Sequence, residues 1–401
     1  MLVVHKYGGT SVGDLSRIEN VANRVAKAKE AGHDIVVVVS AMSGETNKLI
    51  EYANYFTSSP AKKEMDLLLS AGERVTAALL SIALQAKGYD AVAMSGRQAG
   101  IVTDTTHTYA RIESIDPAAM QTAIKEGKIV VVAGFQGVSK EGSVTTLGRG
   151  GSDLSAVAIA GALHADQCEI YSDVDGIYTT DPRIEPKAKK LDTISYDEML
   201  ELSSLGAKVL QNRSVELAKK LNVKLYAKSS FNENEGTLIT QENNNMEAVL
   251  VSGVVLDKNQ ARVTLRGVSD KPGIAAEIFT RLAKENINVD MIIQTTGTDG
   301  STNLGFTVPQ SELQNARRVM EKFDHDIEGM DFDDHICKVS VVGVGMKSHA
   351  GVAAKAFSVL AASNINIQMI STSEIKVSMI IDEKYGELAI RMLHEAYELD
   401  K

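Results

Sequence analysis

The sequence predicts an α/β protein, an αβα sandwich with a mainly parallel sheet, followed by two smaller α+β modules. Short β-branched runs alternate with longer helical patterns over the first 240 residues, which is typical of strands joined by crossover helices. Beyond residue 240 this alternation stops and an internal repeat follows. Because ligands of parallel sheets bind at the carboxyl ends of the strands, we expect the functional residues in the loops at that edge.

Five strands of the sheet are predicted from apolar runs. Residues 34–40 (DIVVVVS) and 128–134 (KIVVVAG) have the continuous apolar pattern of strands buried on both faces. Residues 2–6, 167–171 and 223–227 are shorter runs of the same kind. Together they indicate a sheet covered on both sides.

Three helices are predicted between these strands. The first spans about residues 14–31, and an Ala-rich helix spans residues 152–164. A long helix opens at Pro60 and runs to about residue 87. Ser59 is its expected N-cap, since serine favours the cap and proline the first helical position.

The last third of the chain contains two copies of one pattern, after a polar linker at residues 241–245. Residues 262–268 match 338–344, and residues 273–292 match 351–370 with eleven of twenty positions identical. Each copy predicts a strand, a glycine turn, a helix and a strand. Two copies are too few for a solenoid, so a pair of packed α+β modules is expected. Met246 could be an internal start that yields a separate regulatory chain.

Composition limits the function classes. The 401 residues include 42 Lys and Arg against 52 Asp and Glu, a net charge of −10, which argues against nucleic-acid binding. Hydrophobic content of 44% is ordinary for a globular protein. Two cysteines cannot form a disulfide framework and suit a reducing cytosol. With no signal segment and no apolar run of membrane length, we expect a cytoplasmic protein of two or three domains without a membrane partner.

Several common motifs are absent from the sequence. There is no P-loop, no G-x-G-x-x-G after a strand and no H-x-x-x-H pair. One hydrolase pattern occurs, since Gly9-Thr-Ser11-Val-Gly13 fits G-x-S-x-G on a strand-to-helix turn. It follows the first strand of the chain, so no earlier loop can supply the second oxyanion N–H. A hydrolase is therefore the third alternative.

Phosphate binding is the other interpretation of this first loop. Lys6-Tyr7-Gly8-Gly9 leaves a buried strand and enters a helix. Glycines let backbone N–H groups approach an anion, a helix N-terminus favours negative charge, and Lys6 adds a point charge. Glycine-rich turns also occur as plain structural punctuation, so this loop alone is a weak signal.

Two further loops strengthen the case for an anion site. Gly148–Asp153 precedes the Ala-rich helix, and Arg149 offers a planar fork suited to a carboxylate. Asp153 or Ser152 could instead be a helix N-cap. The loop Ser172–Arg183 follows another strand and is rich in turn residues. Polar groups beside apolar runs are also found at Ser40, Thr46 and Glu73, although a helix glutamate is more often solvated.

These motifs resemble the aspartate kinase family. The resemblance rests on KYGGTS at residues 6–11, Gly72-Glu73, GRGGSD at 148–153, SDVDGIYTTDPR at 172–183 and GAKVL at 206–210. The C-terminal repeat is similar to the two ACT modules of that family. The resemblance covers essentially the whole chain, and its motifs are in order and correctly spaced. It implies an amino-acid kinase fold over residues 1–240, a linker at 241–248, and ferredoxin-like ACT modules at 249–330 and 331–401. The C-terminal strand or helix of the second module could pack with the first.

The family reaction is transfer of the γ-phosphoryl group of MgATP to the β-carboxylate of L-aspartate. It yields 4-phospho-L-aspartate and ADP, the first step of lysine, threonine and methionine biosynthesis. A carboxylate is ionised at neutral pH, so no general base is needed. Positioning and charge stabilisation must bring two anions together. Lysines, backbone N–H groups and Mg²⁺ are suited to that task.

The resemblance implies site residues position by position. Lys6, Lys208 and Asp153 are the catalytic candidates, and no residue is assigned to a metal, although Asp153 could help hold it. Whether Glu73 or Asp153 offsets the substrate ammonium is left open. The expected ATP-binding residues are Lys6, Tyr7, Gly8, Gly9, Ser172, Asp173, Tyr178, Arg183 and Lys208. The expected aspartate-binding residues are Ser40, Thr46, Glu73, Arg149, Gly150, Gly151, Ser152 and Asp153.

The ACT pair implies feedback control by lysine, threonine or both, and self-association through the ACT modules as a dimer or a tetramer. A helix N-terminus in the first copy could receive the effector carboxylate. Asn286-Ile-Asn288 and Asn364-Ile-Asn366 could instead be helix C-caps followed by strands. The expected effector-binding residues are Asp270, Gly273, Ile274, Ala275, Asn288, Asp290, Gln294, Asn364 and Ile365.

Two departures from the family pattern are visible. Gln211-Asn212 stands where His-Pro is common, a change that touches no other predicted site residue. His349-Ala350-Gly351 stands where His-Pro-Gly is common, so effector binding by the second copy is in doubt. Kinases of glutamate, acetylglutamate or UMP are the nearest rivals, but they lack paired ACT modules. A non-catalytic amino-acid sensor is the second alternative.

Overall fold

The protein is described by a computed structural model that covers residues 1–205, 209–242, 251–269, 271–296, 301–322, 327–347 and 351–401. The chain divides into two compact units. The first comprises Met1–Ile177, Lys190–Ser204 and Lys208–Asn244, and the second comprises Tyr178–Lys189, Leu205–Ala207 and Asn245–Lys401. The predicted linker lies outside the described residues beyond residue 242, as does Met246.

The first unit contains twelve strands and seven helices among its described residues. Its strands are β1 Leu2–Tyr7, β2 Asp34–Val39, β3 Ala91–Met94, β4 Ile101–Thr103, β5 Ile112–Ile115, β6 Ile129–Ala133, β7 Gln136–Ser139, β8 Val144–Thr146, β9 Gln167–Ser172, β10 Thr193–Ser195, β11 Leu225–Ser229 and β12 Thr237–Thr240. Its helices are α1 Leu15–Glu30, α2 Glu45–Phe56, α3 Lys62–Ala86, α4 Ala118–Lys125, α5 Gly151–Leu163, α6 Tyr196–Ser204 and α7 Asn212–Leu221.

The main sheet of this unit has the strand order β10-β12-β11-β9-β1-β2-β6-β3. The six strands from β11 to β3 run parallel, and β12 pairs antiparallel with β11. Alternate side chains such as Ile35 and Val131 pack against α1 and α3. Val38 points to the opposite face, towards the start of α5. Helices therefore cover both faces, and the predicted αβα sandwich is confirmed.

A second, four-stranded sheet in this unit has the order β5-β4-β7-β8. Asp66 of α3 is fully buried and binds this sheet. It accepts hydrogen bonds from the hydroxyl of Thr146 and, at 3.0 Å, from the backbone N–H of Thr108. The helix thus connects the small sheet to the main one.

By length and composition alone, α3 could cross a membrane, which is weak evidence because core helices meet the same criterion. Half of its most apolar 18-residue window is buried in the protein. It starts at Lys62 after Ala61, without a side-chain cap. The prediction of Ser59 as N-cap is therefore wrong. The helix is held instead by its buried side, which includes the polar residues Asp66 and Glu73.

The second unit contains one six-stranded sheet with the order β14-β15-β13-β16-β18-β17. Its strands are β13 Gly253–Ser269, β14 Ile292–Thr296, β15 Ser301–Val308, β16 Gly329–Val342, β17 Met369–Thr372 and β18 Lys376–Asp382. Its α-helices are α8 Ile274–Lys284, α9 Leu313–Glu321, α10 Val352–Ala362 and α11 Gly386–Ala396. Short 3-10 helices span Gln310–Glu312, Val344–Lys347 and Glu383–Tyr385.

The two repeats share this sheet through β13 and β16, which pair antiparallel at its centre. The second half of β13 belongs to the core of the first repeat, with Val263 packed beside α8 and α9. Its first half belongs to the core of the second repeat, where Val254 lies with residues of β16, α10 and α11. The C-terminal helix α11 therefore packs on this first half of β13 as well as on its own repeat.

Candidate active site

Four neighbouring strands of the main sheet end at one edge of the first unit. β1 ends at Tyr7, β2 at Val39, β6 at Ala133 and β9 at Ser172. The loops that follow these strands carry most of the residues singled out from the sequence. They therefore meet at the carboxyl edge, as expected for a parallel sheet.

Lys6 and Asp153 form an ion pair at this edge. The distance from Lys6 Nζ to Asp153 Oδ1 is 2.6 Å, and the two side chains are 10% and 13% exposed. Lys6 lies near the end of β1, whereas Asp153 lies in the first turn of α5. The N-cap of α5 is Gly150, without a side-chain cap bond. The alternative that Asp153 or Ser152 is the N-cap is therefore wrong.

The glycines after β1 bring the backbone close to Lys6 and to the loop after β2. A Cβ atom on Gly8 would lie 3.4 Å from Lys6 Nζ, and one on Gly9 would lie 3.0 Å from the Ala41 carbonyl oxygen. The N–H of Gly8 donates to the Tyr171 carbonyl at 3.1 Å. The N–H groups of Gly9 and Thr10 have no hydrogen-bond acceptor among the described residues. They are the donors that this loop can offer to an anion.

Ser11, the centre of the hydrolase pattern, is 2% exposed. Its hydroxyl accepts a hydrogen bond from Ser230 Oγ at 2.6 Å and lies 3.5 Å from the Tyr171 carbonyl oxygen. No histidine bonds to it among the described residues. The buried hydroxyl lacks a base, so the geometry does not support a nucleophile elbow.

Glu73 lies on α3, and its side chain reaches the carboxyl edge of the main sheet. A Cβ on the preceding Gly72 would lie 2.8 Å from Ala41 Cβ, so the helix can approach this loop because residue 72 is glycine. Glu73 Oε1 accepts a hydrogen bond from the Ala41 N–H at 3.1 Å. Its Oε2 is buried without a partner among the described residues. Burial raises the pKa of Glu73 to about 7. The alternative of a solvated helix glutamate is wrong.

Ser40 and Thr46 flank the loop after β2. The N–H of Ser40 donates to the Tyr7 carbonyl at 3.1 Å, which holds the ends of β1 and β2 together. Thr46 lies in the first turn of α2, which begins after Gly44 with a positive φ of 86°. Both residues are partly buried. They lie at the same edge as Lys6.

Arg149 lies in a tight loop between β8 and α5. Gly148 and Gly150 on either side have positive φ values of 79° and 73°. Arg149 is exposed, and its guanidinium has no partner among the described residues. Gln211 Nε2 donates to the Arg149 carbonyl at 3.0 Å. The expectation that the change at Gln211 touches no other predicted site residue is therefore wrong.

The remaining substrate-side positions lie where β6 meets α5. A Cβ on Gly134 would lie 3.0 Å from Ser152 Oγ, and one on Gly151 would lie 2.8 Å from Leu147 Cβ. Ser152 is 7% exposed. This close packing places the first turn of α5 at the strand ends.

The predicted nucleotide-binding stretch is divided between the two units. Ser172 ends β9, and its Oγ accepts from the Val174 N–H at 3.2 Å; Asp173 is exposed. Tyr178 and Arg183 belong to the second unit. There Arg183 pairs with Asp181 at 2.7 Å. Lys208 lies outside the described residues.

A buried charged cluster that the sequence analysis missed lies in β1, β9 and β11 behind this edge. Glu169 contacts His5 Nε2 at 3.2 Å and Lys228 Nζ at 2.6 Å. The Tyr171 hydroxyl donates to it at 2.6 Å. Burial would raise the pKa of Glu169, but the His5 and Lys228 contacts outweigh burial and hold this pKa far below its usual range. Glu169 lies 2 positions from Tyr171 and 59 from Lys228, whereas His5 lies near the start of the sequence, so no short motif signals the cluster.

The predicted effector residues lie in the second unit. Gly273 precedes α8 with a φ of 100°, and Ile274 and Ala275 follow in its first turn. Asn288 and Gln294 are exposed, whereas Asp290 pairs with the buried Lys338. Asp270 lies outside the described residues, as do His349 and Ala350.

The turns after α8 and α10 support the helix-end alternative for the two Asn-Ile-Asn segments. Asn286 and Asn364 have positive φ values of 57° and 55° directly after these helices. The N–H of Ile365 donates a hydrogen bond to the Leu360 carbonyl at 2.9 Å. Ile365 is only 3% exposed and belongs to the core. These positions end helices as asparagine often does.

Among the described residues, one group of three potential metal ligands has its ligand atoms within 4.8 Å of one another. It consists of Asp333, Asp334 and His335 in the second unit. At the edge of the main sheet, Asp173 is exposed, whereas Asp153 pairs with Lys6. This edge could share a cation carried by a phosphate ligand, because Mg²⁺ commonly takes one or two carboxylates plus phosphate oxygens.

Comparison with known proteins identifies relatives for both units. The profile of the amino acid kinase family matches residues 1–229, and that of the ACT domain matches residues 263–322 and 339–397. An aspartokinase of Helicobacter pylori (strain J99) is 58% identical over 405 residues, covering 100% of both chains.

Solved structures show the same relationship. E. coli aspartokinase III in complex with aspartate and ADP superimposes with a TM-score of 0.80 at 27% identity, covering 99% of each chain. The same enzyme in complex with lysine and aspartate gives a TM-score of 0.79 at 26% identity, covering 98% of this chain and 99% of the other.

Proposed function

The chain belongs to the amino acid kinase family and is an aspartokinase, and from this premise we propose which residues carry each part of its reaction. The enzyme transfers the γ-phosphoryl group of ATP to the β-carboxylate of L-aspartate, giving 4-phospho-L-aspartate and ADP. This is the first step of lysine, threonine and methionine biosynthesis. The observation that carries our assignment of the site is a difference between two acids: Asp153 pairs with Lys6, whereas Glu73 has a buried oxygen without a partner among the described residues.

Glu73 is the acid that offsets the substrate ammonium. Its Oε2 is buried without a partner among the described residues, so an incoming N⁺–H donor would satisfy it. Asp153 Oδ1 is also buried without a hydrogen bond of good geometry, but it lies 2.6 Å from the ammonium of Lys6, which balances its charge. A bound ammonium would also favour the ionised form of Glu73, whose pKa burial alone raises to about 7. Of the two acids that the sequence left open, we therefore propose Glu73.

Arg149 holds the substrate α-carboxylate. Its guanidinium is unpaired among the described residues and can bind both carboxylate oxygens as a planar fork. Ser40, Thr46, Gly150, Gly151 and Ser152 line the same edge and complete the proposed aspartate site. With the ammonium on Glu73 and the α-carboxylate on Arg149, the β-carboxylate is left for the phosphoryl group.

Lys6 stabilises the charge of the phosphoryl group in transfer, and Asp153 holds the Lys6 side chain in place. The N–H groups of Gly9 and Thr10 add hydrogen bonds to phosphate oxygens, while Gly8 keeps space beside the Lys6 ammonium. The β-carboxylate oxygen attacks the γ-phosphorus, and the bond to the ADP oxygen breaks. No proton is transferred in this step, because the attacking carboxylate is already ionised.

The nucleotide is bound by the stretch of chain that follows β9. This assignment rests on the family pattern and includes Lys208 as the second catalytic lysine. Its members are Lys6, Tyr7, Gly8, Gly9, Ser172, Asp173, Tyr178, Arg183 and Lys208. Mg²⁺ would neutralise part of the charge on the β- and γ-phosphates, and the exposed Asp173 is the carboxylate able to share it.

The ACT modules bind lysine, threonine or both as inhibitors. A relative from E. coli has been solved with lysine, and the first repeat here offers a helix N-terminus after Gly273 with the exposed Asn288 and Gln294 beyond it. Because effector coupling is reciprocal, aspartate would weaken inhibitor binding to the same extent. The catalytic domain would end near residue 240, and the modules would span 249–330 and 331–401.

We also place the enzyme in the cytoplasm as a homo-oligomer that associates through its ACT modules. Both cysteines, Cys168 and Cys337, are free and buried, which suits a reducing compartment. The oligomeric state is testable by mass measurement in solution with and without lysine.

The proposal is tested by ADP release from MgATP with L-aspartate, L-glutamate or no acceptor, each with and without lysine and threonine. We expect turnover with aspartate but not with glutamate or without an acceptor, and we expect lysine or threonine to suppress it. Turnover with glutamate in place of aspartate would contradict the substrate assignment. Tight amino-acid binding without turnover would place the chain among non-catalytic sensors.

A further inference from the structure

The start of helix α7 holds the loop that carries Arg149. Two side chains of this segment, Gln211 and Arg213, reach backbone carbonyls of that loop. All of these residues lie in the first unit. In the sequence, Gln211 follows Lys208, a predicted nucleotide-binding residue, by three positions.

Gln211 makes two separate contacts. Its Nε2 donates to the Arg149 carbonyl at 3.0 Å, and its Oε1 accepts from the Arg213 N–H at 2.9 Å, which caps α7. A Cβ on Gly150 would lie 2.2 Å from Gln211 Cγ, so the side chain lies directly against the loop. One amide group thus caps the N-terminus of α7 and binds the carbonyl of Arg149.

Arg213 holds the other end of the loop. Its Nη1 donates to the Leu147 carbonyl at 2.6 Å and its Nη2 to the Ala110 carbonyl at 3.1 Å. Its guanidinium also lies 4.6 Å from the centre of the Tyr109 ring. Two carbonyls and one ring surround the fork, which makes its orientation well defined.

These contacts fix the backbone around Arg149 while its guanidinium has no partner among the described residues. A side chain that must present a planar fork to a carboxylate gains affinity when its backbone is held in advance. We propose that Gln211 and Arg213 are positioning residues that orient Arg149 towards the α-carboxylate of the amino-acid substrate. This inference rests on the proposed role of Arg149.

The substitution Gln211→Glu separates the two contacts of this residue. The glutamate keeps an oxygen that caps α7, but it cannot donate to the Arg149 carbonyl. We expect the KM for aspartate to rise about fivefold, the loss of one neutral hydrogen bond, while the KM for ATP and the melting temperature change little. Asn212→Asp is the matched control, because it adds the same charge one residue away and removes no contact with the loop.

Arg213→Lys is a second, independent variant. Lysine keeps the charge but cannot bind the Leu147 and Ala110 carbonyls as a fork. We expect the KM for aspartate to rise again, with the KM for ATP much less affected. An equal rise in both constants would indicate a general structural role and overturn the proposal.

A double-mutant cycle with Arg149→Ala decides between positioning and direct effects. If Gln211 acts through Arg149, Gln211→Glu should raise the aspartate KM in the wild type but not in the Arg149→Ala background. A rise in both backgrounds, or in neither, would overturn the positioning role. If Arg149→Ala itself leaves the aspartate KM unchanged, the proposed role of Arg149 fails, and that result is distinct from a failure of Gln211 alone.

Discussion

Lys6 Nζ lies 2.6 Å from Asp153 Oδ1 and joins the end of β1 to the first turn of α5. The pair is largely buried, so its orientation is defined by the strand and the helix rather than by solvent. A buried ion pair is weak evidence of stability, because desolvation offsets much of the attraction. Its position at the carboxyl edge of the sheet points to a role in orienting Lys6.

The substitution Asp153→Asn tests this role. It keeps the size of the side chain but removes the charge that holds Lys6, so we expect kcat to fall roughly 10- to 100-fold. Steady-state kinetics with both substrates measure this, and Asp90→Asn, an exposed aspartate elsewhere in the unit, is the control. An unchanged kcat would show that Asp153 has no role in catalysis.

Glu73 predicts a pH dependence of aspartate binding. Its pKa is raised to about 7 by burial, and only the ionised form can offset the substrate ammonium. We expect kcat/KM for aspartate to fall by roughly tenfold per pH unit below pH 7. In Glu73→Gln this ionisation should be absent and kcat/KM lower by roughly 10- to 100-fold. An unaltered pH profile in the variant would contradict the assignment.

The raised pKa of Glu73 also predicts an effect on stability. Ionisation of Glu73 favours aspartate binding but lowers the free energy of unfolding. Because the folded-state pKa of about 7 exceeds the ordinary value of 4.5, ionisation destabilises the fold as pH rises through this range. Glu73→Gln should therefore increase the free energy of unfolding at pH 8, by up to about 3 kcal/mol, and have little effect at pH 4. Denaturant unfolding at both pH values without ligand checks this, and a loss of stability at pH 8 would refute it.

Asp66 predicts a loss of stability. It accepts hydrogen bonds from Thr146 and Thr108 and contacts His107 Nδ1 at 2.6 Å, all from a fully buried carboxylate. Asp66→Ala leaves these donors unsatisfied, so we expect the free energy of unfolding to fall by about 2–4 kcal/mol. Denaturant unfolding measures this change, with the exposed Asp90→Ala as the control. A change below 1 kcal/mol would show that the small sheet does not depend on this residue.

The burial of His394 predicts that the stability of the second unit falls at acid pH. His394 is 1% exposed, its Nε2 lies 2.9 Å from Thr179 Oγ1, and burial lowers its pKa. Since the unfolded chain binds the proton more readily, stability should be lost as pH falls below about 6.5. His394→Gln should flatten this dependence, whereas the exposed His335→Gln should not. Thermal unfolding between pH 5 and 8 makes the comparison; equal slopes in all three proteins would exclude His394 as the cause.

The central strands of the main sheet were predictable because local composition determines them. Residues 34–40 and 128–134 are continuous β-branched runs, and β2 and β6 occupy Asp34–Val39 and Ile129–Ala133. The small sheet was not predicted. Its strands β4 and β8 have three residues each, too few for a periodicity, and they depend on contacts with α3 such as that of Asp66.

The interleaving of the two ACT repeats was also outside the reach of the sequence pattern. The repeat marks a strand from residue 262, but β13 starts at Gly253. Its first half packs with the second repeat through Val254. A single apolar run shows that a strand is buried without showing which partner buries it.

At the site, residue types were predictable and pairings were not. Lys6, Glu73, Arg149 and Asp153 were all candidates, yet the Lys6–Asp153 pair joins residues 147 positions apart. The Gln211 contact spans 62 positions and has no local motif. Such contacts depend on the assembled sheet, which one sequence does not specify residue by residue.

The most direct test of the account is acyl-phosphate formation, trapped with hydroxylamine, by the wild type and by Lys6→Ala with MgATP and L-aspartate. We predict aspartate hydroxamate from the wild type, none from L-glutamate, and a loss of at least about 100-fold in Lys6→Ala. Circular dichroism would confirm that the variant is folded. No hydroxamate from the wild type, or an equal yield from the folded variant, would contradict the central claim that this edge of the sheet transfers the phosphoryl group to aspartate.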